Sequence, residues 1–183
     1  KTEPDEGLNG RQLNYPRGRV LGGCSSINGM IYMRGQARDY DQWRQFGNTG
    51  WGWDDVLHYF RKSEDQLAMP ADEFHGEGGE WRVEKQRLRW DVLDAFRDAA
   101  HQAGLPLTND FNRGNNEGVG YFQVNQKAGW RWSTSKGFLR PAQNRKNLTV
   151  FTHAQVRKLT IRDGRITGAE QTCLGTDQKT LLG

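Results

Sequence analysis

Cysteine is scarce in this chain. Its 183 residues include two, Cys24 and Cys173, far apart and without a CxxC spacing, which excludes a disulfide framework and a zinc site. No run of 18 or more apolar residues occurs, so no membrane-spanning helix is encoded. Basic residues outnumber acidic ones only slightly, 26 to 22, and both are scattered. Nucleic-acid binding goes with a clustered basic stripe, so that class is set aside. The four histidines, His58, His75, His101 and His153, have no partner at ligand spacing and read as surface or packed rings, with no metal site. No GxGxxG follows a strand pattern and no Gly-Lys-Ser/Thr closes a glycine loop, so both nucleotide fingerprints are missing. There is no G-x-S-x-G elbow, which removes Ser25 and Ser26 as hydrolase nucleophiles. "DFNRGNNEGVGYF" offers Asp110 and Asn112 to calcium, but Gly114 stands where an oxygen ligand belongs and Tyr121 where the bidentate Glu belongs. Asn147-Leu148-Thr149 fits a glycosylation sequon and, without a secretory signal, reads as chance.

Apolar residues are few as well, at 34% of the chain, with a mean hydropathy of −0.91. Disorder does not follow, because seven Trp and eight Phe accompany them, and disordered chains are poor in aromatics. So polar and aromatic a chain reads as an excised segment of something larger, with surfaces meant for neighbours. The tryptophans are expected to pack a core, with a substrate pocket as the other use for Trp130 and Trp132.

The patterning predicts a mixed α+β chain: a loop-rich N-terminal part, then helices, then a β meander. Residues 1–36 are punctuated by Gly and Pro. Tyr40, Trp43 and Phe46 suit a short amphipathic helix, and Asp54 can cap a second one carrying Val56, Leu57 and Phe60. Residues 63–80 are polar and read as a surface loop, and "GEWRVEK" reads as a short strand. Leu88, Val92, Leu93, Phe96, Ala99, Ala100 and Ala103 fall at helical spacing, ended by Gly104 and Pro106. "GVGYFQVNQ" is strand-like and "STSKGFLRPA" helical, with Ser133 or Thr134 as its cap. From residue 147 on, "NLTVFT", "QVRKLTIR" and "RITGAEQT" predict strands, with a hairpin at Asp163-Gly164.

One stretch concentrates small residues. "PRGRVLGGCSSINGMIYMRG", residues 16–35, holds five glycines, a cysteine, two serines and an asparagine. Gly22 and Gly23 remove side chains where a backbone could approach an anionic or planar ligand. Successive N–H groups could form an anion-binding nest, or open a helix near residue 25 whose N-terminus faces a phosphate. A tight turn between packed elements accounts for the glycines equally well, with the serines bonded to nearby backbone.

The stretch "TEPDEGLNGRQLNYPRGRVLGGCSSINGMIYMRGQARDYDQW" resembles the first signature region of the glucose–methanol–choline oxidoreductases, in their choline-dehydrogenase-like and alcohol-dehydrogenase-like branch. The likeness continues in order through "GNTGWGWDDVLHYFRKSED", "FHGEGGEWRV", "RWSTSKGFLRPA" and "NLTVFTHAQVRKLTIRDGRITGAE". The resemblance implies the central part of a two-domain FAD-binding fold. Residues 1–36 would contact the cofactor, 37–146 would build the substrate side, and 147–183 would return to the FAD-binding domain. It implies that Arg19, Leu21, Gly22, Gly23, Ser26, Asn28, Gly29 and Met30 lie on or beside FAD, and that Val156 meets the adenine through its backbone. Some relatives carry a flavin-attaching His where Ile27 stands, so the FAD is expected to be non-covalent. Cys24 replaces the Gly or Ser commonest at its place.

The same resemblance puts the family's GxGxxG unit before Lys1 and its catalytic His beyond Gly183, so no catalytic residue is assigned here. It implies an enzyme oxidising a primary alcohol by hydride transfer to flavin, in the cytoplasm or peripherally on a membrane. The chain by itself is expected to be inactive. A cofactor-free binding or scaffold module is the alternative.

Overall fold

The computed structural model describes residues 1–173 and 176–181. The chain divides into two compact units, Lys1–Pro141 and Ala142–Gly183. It is a mixed α/β structure, as the patterning predicts.

In the first unit, helix α1 (Ala37–Gln45) and helix α2 (Trp53–Ser63) begin in the same way. A carboxylate three residues in bonds back to the N–H just ahead of the helix: Asp39 Oδ2 accepts from Gln36 N at 2.8 Å and Asp55 Oδ2 from Gly52 N at 3.0 Å. Asp55, not Asp54, therefore closes the start of α2, because only the third position faces back toward the orphan donors. Tyr40 of α1 packs edge-on against Phe60 of α2, with ring centroids 5.7 Å apart. Helix α3 (Asp91–Gln102) carries the predicted spacing from Val92 to Ala100 but starts after Leu88, and the chain turns off at Gly104, whose φ of +99° suits glycine.

Strands β1 (Glu64–Gln66), β2 (Trp81–Lys85) and β3 (Gln123–Val124) form one sheet in that order, β1 parallel to β2 and β2 antiparallel to β3. "GVGYFQVNQ" is less regular than predicted: beyond β3 it pairs only at Val119, bridged to Leu107, and in β4 (Gln126–Lys127). Strand β5 (Trp130–Arg131) closes a hairpin with β4 through Ala128 and Gly129, both at positive φ. "STSKGFL" opens on a π-helical turn, Ser135–Leu139. Neither Ser133 nor Thr134 caps it with a side-chain hydrogen bond among the described residues; the Thr134 hydroxyl is engaged elsewhere.

Residues 63–80 are a loop from Leu67 on, as expected, but the segment opens on a strand and three of its polar side chains lie in the core. Glu64, Gln66 and His75 are buried with Val83, Tyr32, Phe111 and Val124, and Gly76 and Gly79 run so close to the Arg61–Glu64 backbone that a Cβ would collide with it. Polarity was a poor guide because these polar groups are paired with each other. The tryptophans also depart from expectation. Trp53 is buried, but Trp43, Trp51, Trp90 and Trp130 are exposed, Trp130 to 75%.

The second unit is an antiparallel meander of β6 (Ala154–Arg162), β7 (Arg165–Cys173) and β8 (Thr176–Leu181). Asp163 and Gly164, at φ of +49° and +73°, make the predicted hairpin between β6 and β7. "NLTVFT" forms no strand; regular pairing starts at Ala154. The side chain of Cys173 lies outside the described residues.

Candidate functional site

Residues 18–30 form a loop with one tied side and one open side. No helix starts at residue 25. Instead Gly23–Ser26 make one 3₁₀ turn, and the N–H groups of Ser25, Ile27 and Asn28 donate to the carbonyls of Gly22 and Cys24 at 2.9–3.2 Å. Those donors are consumed inside the turn, so the expected helix N-terminus facing a phosphate is not built.

The glycines divide into two kinds. A Cβ on Gly18 would collide with the Gly23 carbonyl, and one on Gly22 (φ +90°) would come within 2.5 Å of Ser26 Oγ and 3.2 Å of Ser135 Cβ. These two serve internal packing. Gly23 (φ +53°) and Gly29 are different: a Cβ at either would have nothing within 4 Å. The Gly29 N–H donates to no protein acceptor among the described residues.

The tied side is held from 100 residues away in sequence. The Gly22 carbonyl accepts from the hydroxyls of Ser25 and Thr134, the latter at 3.2 Å. Thr134 N donates to Ser25 Oγ at 2.9 Å. Arg131 Nη1 donates to the Ser25 carbonyl at 3.1 Å and to Asn28 Oδ1 at 2.8 Å. Asn28 Oδ1 also accepts from Met30 N at 3.1 Å, and Met30 takes a left-handed φ of +64°. Its carbonyl accepts from Asn125 N at 2.8 Å, which joins the loop to the β3–β4 strand line.

Arg19, Leu21, Gly22, Gly23, Ser26, Asn28, Gly29 and Met30 thus share one loop, though in different roles. Arg19 and Leu21 are exposed. The Ser26 hydroxyl donates to Leu21 O at 2.9 Å and is spent locally. Cys24 Sγ accepts from Gly18 N at 3.5 Å, and this hydrogen bond, with Arg17 nearby, draws the thiol below its usual range. Val156 belongs to the other unit, where it is an exposed residue of β6. Trp132 packs, with Nε1 donating to Glu80 O at 2.8 Å and Lys127 Nζ 4.8 Å from its ring centroid.

Beyond Met30 the chain runs into a buried ionic cluster. Arg34 Nη2 lies 3.0 Å from Glu64 Oε2, and Arg34 Nη1 donates to Phe74 O at 2.7 Å. His75 sits between Glu64 (Nδ1–Oε1, 3.1 Å) and Asp110 (Nε2–Oδ2, 2.9 Å). Burial pulls the His75 pKa down, but the hydrogen bonds to Asp110 and Glu64 overcome it and raise it to about 9. Burial likewise works against ionised Asp110, yet the hydrogen bond from His75 and the N–H of Asn112 hold it below the ordinary carboxylate range. Arg113 Nε, 2.9 Å from Asp110 Oδ2, completes the balance. Asp110 and Asn112 are thereby engaged with protein groups: Asn112 Oδ1 accepts from Arg34 N at 2.7 Å. Nothing in the local sequence brings Arg34, Glu64, His75 and Asp110 together, since they come from four separate segments. The cluster anchors the far end of the loop.

The chain belongs to the GMC oxidoreductase family, whose profile matches residues 6–182. Over 169 residues it is 40% identical to the oxygen-dependent choline dehydrogenase of Sinorhizobium fredii, covering 92% of this chain and 30% of that protein. It is 38% identical over 168 residues to the alcohol dehydrogenase [acceptor] of Pseudomonas putida, with the same coverage. Among solved structures, pyridoxine 4-oxidase from Mesorbium loti superposes with a TM-score of 0.86 at 31% identity, covering 98% of this chain and 36% of that one. An FAD-dependent oxidoreductase from Chaetomium thermophilum gives 0.85 at 26% identity, covering 98% and 34%. The chain therefore spans about 30% of the length of the curated relatives it matches. No helix among the described residues is long and apolar enough to cross a membrane.

Proposed function

We propose that this chain supplies one wall of the cofactor site of an FAD-dependent oxidoreductase that oxidises a primary alcohol, choline-like or simple, to the aldehyde. The observation that carries the reading is the two-sided loop. Gly23 and Gly29 face open space, while Thr134 and Arg131 hold their neighbours Gly22, Ser25 and Asn28. A backbone held rigid on one side and bare on the other suits a large planar ligand in close contact. The names of the relatives, choline dehydrogenase, alcohol dehydrogenase and FAD-dependent oxidoreductase, support FAD and an alcohol.

When bound, FAD supplies the hydride acceptor. The residues of this chain bind and orient. Arg19, Leu21, Gly22, Gly23, Ser26, Asn28, Gly29 and Met30 border the cofactor, with the Gly29 N–H free to donate, and Val156 serves the adenine end through its backbone. Residues 1–36 contact the cofactor, 37–146 build the substrate side and 147–183 return to the FAD-binding part. Ile27 has no nucleophilic atom, so the cofactor is held non-covalently. Alcohol oxidation also needs a base near the hydroxyl, and no residue of this chain is assigned that role. His75 in particular is locked between two carboxylates. The isolated chain accordingly does not turn over alcohol.

Acid precipitation of the full-length protein carrying this chain tests the reading. Yellow flavin should appear in the supernatant, and choline or a simple primary alcohol should bleach the holoprotein under anaerobic conditions. Flavin retained in the pellet contradicts non-covalent binding, and a colourless protein contradicts FAD altogether.

A further inference from the structure

We infer that Arg131 is a positioning residue for the cofactor, an inference that rests on the FAD reading of the loop. Arg131 ends the β4–β5 hairpin, and one nitrogen of its guanidinium donates both to the Ser25 carbonyl and to Asn28 Oδ1. That same Asn28 oxygen accepts the N–H of Met30, the residue held at φ +64°. A left-handed conformation is unfavourable for a side chain the size of methionine and persists only where its surroundings fix it. Arg131 thus orients Asn28, Asn28 orients Met30, and between them lies Gly29, whose N–H has no protein acceptor among the described residues. The other strand of the hairpin region reaches the same place, since Asn125 N donates to Met30 O.

The charge of Arg131 is the second part of the argument. Its side chain bonds to a carbonyl and an amide oxygen and pairs with no carboxylate among the described residues. A neutral donor could hold a turn together. A half-buried, uncompensated cation does more: it favours negative charge on whatever lies across the loop. FAD carries such charge on its diphosphate, so Arg131 both shapes the loop and draws the cofactor to it.

The test compares wild type with Arg131→Ala and Arg131→Lys in the full-length protein. FAD is titrated into apo-protein, and hydrogen exchange is followed at the amides of residues 25–30. In Arg131→Ala those amides exchange faster and FAD affinity falls about tenfold or more, as expected for a lost charge-assisted bond. The apo-protein melts somewhat below wild type, as the loss of two loop bonds requires, but stays folded. Millimolar guanidinium chloride restores much of the affinity, a rescue that general loss of structure would not show. Arg131→Lys, which keeps the charge but not both contacts, falls between the two and serves if alanine does not fold. Unchanged exchange, or wild-type FAD affinity despite faster exchange, overturns the inference. A wild-type protein that binds no FAD overturns the reading beneath it, and is seen before any variant is made.

Discussion

Ser25 and Thr134 stand 109 residues apart in sequence, yet Thr134 N donates to Ser25 Oγ at 2.9 Å and the two hydroxyls lie 3.0 Å apart. Both hydroxyls also meet the Gly22 carbonyl. Thr134→Val keeps the shape and removes one hydroxyl from this knot. It should lower unfolding free energy by about 1 kcal/mol, the net value of one such bond, with part of a half-buried carbonyl left unserved. Thr134→Ser should stay close to wild type. Urea unfolding of the three proteins measures it, and a valine variant as stable as wild type would remove the knot from the account.

The buried cluster makes stability depend on pH. The folded His75 pKa of about 9 lies above its ordinary 6.5, so the protonated ring favours the folded state. That contribution is complete below about pH 6.5 and is lost as pH rises through 9. Asp110 acts in the opposite sense: its lowered pKa gives stability at neutral pH that is lost in acid. Unfolding midpoints should therefore decline from pH 6.5 to 9 in wild type. His75→Gln should flatten that alkaline limb and lower the neutral value by roughly 1–3 kcal/mol, since each carboxylate loses a charge-assisted bond while Glu64 keeps Arg34 and Asp110 keeps Arg113. An alkaline limb of the same slope in His75→Gln would assign the pH dependence to other groups.

Gly22 and Gly23 are neighbours with different reasons to be glycine. At Gly22 a Cβ meets Ser26 Oγ at 2.5 Å in addition to the +90° φ. Gly22→Ala should cost about 1–3 kcal/mol of apo-protein stability. Combining it with Ser26→Ala should recover part of that loss, because the two changes share one contact. Strict additivity in denaturant unfolding would show that the clash is relieved by backbone movement instead.

Local chemistry made some of this legible and topology hid the rest. The period of Leu93, Phe96 and Ala100 and the stop at Gly104 identify α3 because both signals are confined to a dozen residues. Asp163-Gly164 marks its hairpin because both types tolerate positive φ. Ala128-Gly129 turns the chain in the same way without a signal, since alanine is not a left-handed residue by preference. Residues 63–80 misled because Glu64, Gln66 and His75 are polar by type but buried by partnership, and their partners Arg34, Asp110 and Gln123 lie dozens of residues away. The small residues of 16–35 announced a close approach. What the sequence could not divide was that Gly18 and Gly22 approach the protein itself, whereas Gly23 and Gly29 leave room for something else. Arg131 gave no local hint, because its partners are more than 100 residues distant.

Gly23→Val in the full-length protein tests the central claim most directly, read as the flavin-to-protein ratio after purification beside the melting temperature of the apo-protein. Valine adds a branched side chain on the open side of the loop and disfavours the +53° φ. With no protein atom within 4 Å to clash, the fold should lose only the ~1–2 kcal/mol of a left-handed β-branched residue, while flavin occupancy drops steeply. A Gly23→Val protein that keeps full flavin occupancy would contradict the placement of the cofactor on this loop.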